Sequence, residues 1–110
     1  MKICITSEGK TLESNLDMRF GRCAYFIIFD TDTNEFKAVE NTNVNLTGGA
    51  GIQSAQSVIS SGVKAVLTGK VGQNAYNTLK TAGIEIYLSN GGGIKNVIEQ
   101  YKTGKLEKMN

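Results

Sequence analysis

A chain of 110 residues with 40% hydrophobic and 20% charged side chains fits one globular domain, and this composition excludes a disordered or a membrane-spanning chain. The formal net charge of +2, with scattered basic residues, argues against a nucleic-acid partner. The chain has no histidine, so it lacks the commonest general base and the commonest metal ligand, which argues against most classes of enzyme.

Three strands are predicted in the first 40 residues. Residues 3–8 form the first, and residues 25–29 are an unbroken apolar run, typical of a central strand that is buried on both faces. Residues 30–34 favour a turn, and the alternation in residues 35–40 predicts a third strand. No apolar signal-peptide core precedes these strands, so a cytoplasmic location is expected.

Three helices are predicted to alternate with two further strands in the rest of the chain. The spacing of Ile52, Ala55, Val58 and Ile59 indicates the first helix, and Ile94 to Tyr101 shows the same periodicity in the last. A middle helix over residues 73–81 lies between them. The helices are expected to end at Gly62, Gly83 and Gly104, and the strands between them to cover residues 64–68 and 84–88.

This order, βββαβαβα, predicts an α/β fold. Short links between the first three strands favour antiparallel pairing, whereas helical crossovers require parallel, right-handed connections. We therefore expect helices on both faces of a mixed five-stranded sheet, with strand order 3-2-1-4-5 and strand 2 antiparallel. One domain is predicted over residues 1–106, and residues 107–110 are expected to fray.

Glycine-rich segments are predicted to gather at one end of this sheet. Strands one, three, four and five point the same way, so segments 7–9, 19–23, 48–51, 68–72 and 89–93 meet at an edge that we call the glycine rim. Three of these segments immediately precede helices, where free N–H groups and the helix dipole favour an anion. The candidate ligand-binding residues are Arg19, Phe20, Gly21, Arg22, Cys23, Gly48, Gly49, Gly51, Gly69, Lys70, Gly72, Gly91 and Gly92.

Two other interpretations of these glycines stay open. Each glycine-rich loop alone could simply make a tight turn. Residues 49–54, Gly-Ala-Gly-Ile-Gln-Ser, also resemble a dinucleotide-binding fingerprint, although the last position is Ser and a polar loop precedes it.

The two cysteines are predicted to have different roles. Cys4 alternates with Ile3 and Ile5 and is interpreted as a small buried hydrophobe, far from Cys23, so no disulfide is expected. Cys23 follows Arg22 on the glycine rim, an electropositive setting that favours a thiolate and hence a ligand for a soft metal. The alternative for Cys23 is a simple packing role.

Three segments together resemble the dinitrogenase iron–molybdenum cofactor biosynthesis family. These are residues 19–26 (Arg-Phe-Gly-Arg-Cys-Ala-Tyr-Phe), 48–56 (Gly-Gly-Ala-Gly-Ile-Gln-Ser-Ala-Gln) and 67–72 (Leu-Thr-Gly-Lys-Val-Gly), and the resemblance extends from Met1 to Leu106. It implies a ribonuclease-H-like three-layer fold without nuclease activity, in proteins that carry or protect the cofactor or its iron–sulfur precursors. Phe20 and Gly21 match the family's Phe-Gly pair, and Cys23 matches a position at which some carriers have cysteine. Other members use a histidine for the cofactor, and this chain has none.

The leading hypothesis is a non-catalytic carrier or chaperone of an iron–sulfur or iron–molybdenum cluster, with Cys23 as the metal ligand and cluster-assembly proteins as partners. The alternative is a regulatory or binding module that takes an anionic small molecule or a partner protein at the same rim without metal. A weak phosphoryl-transfer or thiol-based activity is the third. No nucleic acid or membrane partner is expected, and the protein is predicted to be a monomer or a weak homo-oligomer.

Overall fold

The computed structural model describes residues 1–43 and 48–109. It shows a mixed sheet with helices on both faces. Residues 44–47, in the polar loop that was predicted before Gly48, and Asn110 lie outside the described residues. The elements in chain order are β1 (Lys2–Ser7), β2 (Tyr25–Asp30), β3 (Phe36–Glu40), α1 (Ala50–Ser60), β4 (Ala65–Thr68), α2 (Gln73–Thr81), β5 (Glu85–Leu88), α3 (Ile94–Lys102) and β6 (Glu107–Lys108).

The strand order is β3-β2-β1-β4-β5-β6. β1 pairs antiparallel with β2 and parallel with β4, so β1 lies at the centre of the sheet and β2 runs against it. The predicted α/β class, the ribonuclease-H-like three-layer arrangement and the order 3-2-1-4-5 are confirmed. Left-handed glycines follow the three helices as predicted, with φ of 77° at Gly62, 78° at Gly83 and 73° at Gly104.

The C-terminal segment differs from the prediction of a frayed end. Glu107–Lys108 form the short strand β6, which pairs antiparallel with β5, and the Met109 N–H donates to the Ile86 carbonyl at 2.7 Å. The open edge of β5 would otherwise leave backbone groups unpaired, and α3 returns the chain to that edge. Two residues are too few to show the alternating pattern of a strand, so the sequence could not predict β6.

Alternation along the strands divides the core into two clusters. Cys4 of β1 contributes to the cluster under α1 and α2, together with Ala55 and Leu79. Ile3 and Ile5 face the opposite cluster, which α3 covers. α1 and α2 therefore share one face of the sheet and α3 lies on the other. Neighbouring residues of β1 belong to different clusters because successive side chains of a strand point to opposite faces. None of the helices in the described part of the chain has the length and apolarity needed to cross a membrane.

A buried hydroxyl network fixes the chain where β1 and β4 end. Thr6 Oγ1 lies 2.6 Å from the Asp17 carbonyl oxygen and 2.7 Å from Thr68 Oγ1, and both threonines are fully buried. The Asp17 N–H returns a bond to the Thr6 carbonyl at 2.9 Å. This network anchors the segment that leads into residues 19–23.

Replacing Thr6→Val should lower the free energy of unfolding by about 1–3 kcal/mol, because the isosteric side chain leaves the Asp17 carbonyl and the Thr68 hydroxyl without a buried partner. Urea denaturation followed by circular dichroism measures the change. Thr81→Val, at the exposed end of α2, is the matched control and should change the stability by less than about 0.5 kcal/mol. Equal changes in the free energy of unfolding for the two variants would show that the hydroxyl network does not contribute to stability.

Candidate functional site

The segment 19–23 crosses the glycine rim and contacts two of the predicted loops. Arg19 pairs with Lys70 in a parallel bridge, and the Phe20 N–H donates to the Lys70 carbonyl at 3.0 Å. Gly21, with a φ of 92°, packs on Gly51 so closely that a methyl group on Gly21 would lie 2.9 Å from the Gly51 Cα. The structure therefore brings the loops before α1 and α2 together with residues 19–23.

These contacts enclose a groove between the first turns of α1 and α2. Its volume is about 320 Å³, and Phe20 and Ile52 form its apolar wall. We call it the α1/α2 groove, and its full lining is Phe20, Arg22, Gly49, Ala50, Gly51, Ile52, Gly72, Gln73, Asn74 and Ala75. Of the predicted ligand residues it thus holds Phe20, Arg22, Gly49, Gly51 and Gly72. Gly48 is exposed beside it, directly before Gly49.

Both helices present free backbone donors to this groove. The first intrahelical bonds are donated by Gln53 to Gly49 at 2.9 Å and by Tyr76 to Gly72 at 2.9 Å. The N–H groups of residues 50–52 and 73–75 therefore have no intrahelical acceptor. Within the described part of the chain, no side chain caps either helix, and neither first turn contains an acidic residue. Two helix N-termini with unneutralised dipoles thus open into one cavity.

The third predicted opening, before α3, is already filled by the chain itself. Ile94 and Lys95 donate their N–H groups to the carbonyls of Ser14 at 2.9 Å and Leu12 at 3.3 Å. Gly91 instead lines a separate cavity of about 400 Å³, together with Gly69 and Met18. The expectation of three helix openings on one rim is therefore wrong, because α3 packs on the opposite face and the 10–16 segment covers its first turn.

The charge distribution favours an anion in the α1/α2 groove. Residues 41–84 contain no Asp or Glu, although the chain has ten acidic residues in all. Arg22 borders both this groove and a neighbouring cavity that is lined by Asp17 and Arg19. Arg19 Nε lies 3.4 Å from the Asp17 carboxylate, so its charge is partly compensated, and Lys70 is exposed at the rim. Among the described residues that line the α1/α2 groove, Arg22 is the one with a cationic side chain.

Cys23 is not on the surface of the rim. It is fully buried in the core cluster under α1 and α2. Burial, and to a smaller extent the Asp17 carboxylate, raise the pKa of its thiol from 9.0 to about 12. The expectation that Cys23 favours a thiolate is therefore wrong. Desolvation of the charged form outweighs the hydrogen bonds that lower this pKa.

Because this pKa is raised, the free energy of unfolding should decrease at alkaline pH. The folded state holds the Cys23 proton more tightly than the unfolded chain, so its contribution is present below pH 9 and is lost as the pH rises towards 12. The free energy of unfolding of the wild type should fall more steeply there than that of Cys23→Ala, by at most about 1.4 kcal/mol per pH unit. Denaturant titrations from pH 8 to 11 give the free energy of unfolding at each pH. If this free energy falls equally steeply with pH in both proteins, the buried thiol is contradicted.

Cys4 is a buried free thiol, and no disulfide links it to Cys23, as predicted. Burial raises the pKa of Cys4, and a smaller contribution comes from Cys23. The two cysteines share one core cluster, so the prediction that they are far apart is wrong: both side chains point to the α1/α2 face of the sheet. Among the described residues there is no group of three or more His, Cys, Asp or Glu side chains that could hold a metal ion.

Asn41 is a residue of this site that sequence reasoning missed. It directly follows β3 and is 3% exposed. Its Nδ2 donates to the carbonyls of Gly21 at 3.1 Å and Cys23 at 2.9 Å, and its backbone N–H donates to Ala24 at 3.0 Å. The only sequence signal was a polar residue directly after a strand, which is typical of any loop.

Comparison with known proteins relates nearly the whole chain to a described family and to solved structures. A family model described as dinitrogenase iron–molybdenum cofactor matches residues 1–104. An uncharacterized protein of Methanocaldococcus jannaschii is 34% identical over 112 residues, which cover 99% of this chain and 92% of that protein.

Two solved structures share the fold at similar levels of identity. The apo form of the orange protein from Desulfovibrio gigas superposes with a TM-score of 0.93 at 34% identity, covering 96% of this chain and 90% of that one. A NifB-like protein from Thermotoga gives a TM-score of 0.87 at 39% identity, covering 98% and 92%. The chain therefore matches these relatives over nearly their whole length.

Proposed function

Because the chain belongs to the dinitrogenase iron–molybdenum cofactor family, we propose that it binds an anionic metal–sulfur cluster, or a precursor of one, in the α1/α2 groove. The protein acts as a carrier: it holds its cargo without catalysis and passes it to cluster-assembly proteins. The cargo is a ligand that is taken up and released, so the groove must bind it reversibly.

The convergence of two uncapped helix N-termini carries this proposal. Six N–H groups, from residues 50–52 and 73–75, have no intrahelical acceptor, and sulfur or oxygen atoms of an anionic ligand can accept hydrogen bonds from them. The dipoles of both helices add favourable electrostatics at the same place. A cluster that carries negative charge over several atoms suits such a donor set better than a single small ion.

Side chains complete the groove. Arg22 adds a permanent positive charge at its edge, whereas Phe20 and Ile52 form an apolar wall that lowers the local dielectric and strengthens these interactions. None of the described residues that line the groove carries a carboxylate, which would repel an anion. Gly49 and Gly72, as the N-cap residues, leave the approach to the helix termini free of side-chain atoms.

The Cys23 thiol, proposed from the sequence as a metal ligand, is not exposed to this groove. Its full burial and a pKa of about 12 mean that ligation would require residues 19–24 to move and the thiol to lose its proton. Hydrogen bonds and charge therefore hold the cargo, and direct ligation by Cys23 does not contribute in this arrangement.

Anaerobic incubation with ferrous iron, sulfide and molybdate, followed by gel filtration and metal analysis, tests the proposed function. The wild type and Cys23→Ser should retain metal and sulfide equally, whereas Arg22→Gln should retain several-fold less. Arg19→Gln is the matched control, because Arg19 is exposed on the rim but does not line the groove. A wild type that elutes without metal would contradict the proposal, and loss in Cys23→Ser alone would restore Cys23 as a ligand.

A second candidate function is the binding of a small anion without metal. The donor set favours it, because backbone N–H groups bind oxyanions of phosphate or carboxylate as readily as sulfur-containing anions. Thermal shifts with phosphate, nucleotides and carboxylates distinguish the two, since a specific ligand must stabilise the folded state by mass action. Stabilisation by one of these anions, with no retained metal, would favour this candidate.

A further inference from the structure

The side chain of Asn41 connects the end of β3 to the loop over residues 19–24, which we call the rim loop. Both N–H groups of its amide are used, since Nδ2 donates to the Gly21 and Cys23 carbonyls at 3.1 and 2.9 Å. Its Oδ1 accepts the Asn43 N–H at 3.0 Å. A residue that is 3% exposed and bonded on every polar atom of its amide has a defined structural role.

The carbonyls that Asn41 binds flank Arg22 on both sides. Gly21 precedes Arg22 and packs on the first turn of α1, and Cys23 follows it into the core. The Arg22 N–H donates to the Arg19 carbonyl at 3.3 Å, so the backbone turns sharply at this point. The position of the Arg22 side chain at the edge of the α1/α2 groove therefore depends on two peptide groups that Asn41 holds.

The same amide lies close to the buried thiol. Asn41 Nδ2 is 3.9 Å from Cys23 Sγ, and the bond to the Cys23 carbonyl fixes that residue's backbone with its side chain turned inward. If this bond is lost, the rim loop can move away from β3, and Cys23 becomes accessible at the same time as Arg22 leaves the groove.

We infer that Asn41 is a positioning residue for ligand binding, because its side-chain amide fixes the rim loop so that Arg22 borders the α1/α2 groove and the Cys23 thiol stays out of it. This inference rests on the proposed function for the binding role of the groove. The effect on Cys23 is independent of any ligand and can be measured in the protein alone.

The Asn41→Asp variant tests this inference, because it keeps the size and the acceptor for Asn43 but replaces the donor with an oxygen that faces two carbonyls. At neutral pH the Cys23 thiol should react with a disulfide reagent at least about tenfold faster than in the wild type. Molybdate affinity, measured by calorimetry, should fall by at least about tenfold. Thr42→Asp is the matched control, because it adds the same charge at the adjacent exposed residue.

Protonation provides a rescue that a merely structural role would not show. As the pH falls and the new carboxyl at position 41 is protonated, its O–H can donate again to one of the two carbonyls. The difference in thiol protection between Asn41→Asp and the wild type, compared at each pH, should then shrink. If Asn41→Asp does not fold at pH 7, Asn41→Ala, which adds no charge, should show the same loss of protection without the rescue.

The outcomes separate the two proposals. A wild type that binds no molybdate and also elutes without metal after the anaerobic incubation removes the proposed function, and the thiol measurement alone then decides the role of Asn41. Wild-type protection of Cys23 in Asn41→Asp and Asn41→Ala overturns the inference. Equal losses of affinity in Thr42→Asp and Asn41→Asp, with unchanged thiol protection, would overturn it too, because added charge would then explain the effect.

Discussion

Asn74→Asp should weaken binding of an anionic ligand by at least about a hundredfold and leave the fold intact. Asn74 is an exposed residue in the first turn of α2 and lines the α1/α2 groove. A carboxylate there, about 6 Å from a bound anion at an effective dielectric constant of about 20, repels each unit of ligand charge by about 3 kcal/mol. For one unit of ligand charge this repulsion corresponds to about a hundredfold in Kd, which is therefore the smallest loss that we expect for the dianion molybdate.

The same substitution should slightly stabilise the free protein. A negative charge in the first turn of a helix interacts favourably with its dipole, so the free energy of unfolding should rise by about 0.3–1 kcal/mol. Loss of affinity together with a gain in stability cannot arise from damage to the fold. Calorimetry with molybdate at low ionic strength and urea denaturation measure the two quantities, and added salt should reduce both effects.

Asn77→Asp is the matched control for this prediction. Asn77 lies one turn further along α2, outside the groove, and its Oδ1 accepts a bond from Gln73 at 3.1 Å that an aspartate retains. Because its carboxylate would lie one helical turn further from the anion, we expect it to weaken the affinity at least about tenfold less than Asn74→Asp does. If both variants bind molybdate as the wild type does, the anion does not occupy the first turn of α2.

Gly21→Ala should lower the free energy of unfolding by about 2–5 kcal/mol, the largest loss of stability that we expect from a single methyl group. The φ of 92° is a conformation that L side chains rarely adopt, which costs about 1–2 kcal/mol. The added methyl group would also lie 2.9 Å from the Gly51 Cα and 3.1 Å from its nitrogen, and such overpacking costs about 1–3 kcal/mol. Because the clash is with backbone, the rim loop must shift away from α1.

Gly62→Ala separates the two contributions. Gly62 has a φ of 77°, but a methyl group there meets nothing within 4 Å, so only the backbone cost of about 1–2 kcal/mol applies. Denaturant titrations of both variants give the difference that is due to the Gly21–Gly51 contact. Equal losses of stability would show that residues 19–23 do not press on α1, and the described groove would then lack one wall.

Local patterns predicted most of the fold because each element carries its own signal. The apolar run of β2, the helical spacing in α3 and the glycines after all three helices are read directly from neighbouring residues. The handedness and pairing rules then fix the strand order. β6 lacked such a signal, because it pairs only where α3 returns the chain to the edge of β5.

The site was harder to predict because it depends on which face of the sheet each segment reaches. The glycines before α1, α2 and α3 look alike in the sequence, but only the first two helices share a face, and the carbonyls of Ser14 and Leu12 fill the third opening. The burial of Cys23 depends on long-range packing against β1 and α1, so its arginine neighbour gave the wrong expectation for its pKa.

The central claim is that an anion binds the free N–H groups of α1 and α2, and an amide NMR titration of the intact protein with molybdate tests it most directly. The largest shift changes should fall on residues 50–52 and 73–75, and Ile94 and Lys95, whose N–H groups are already bonded to Ser14 and Leu12, should stay unchanged. Changes centred on α3 or on scattered lysines, with none at the first turns of α1 and α2, would contradict it.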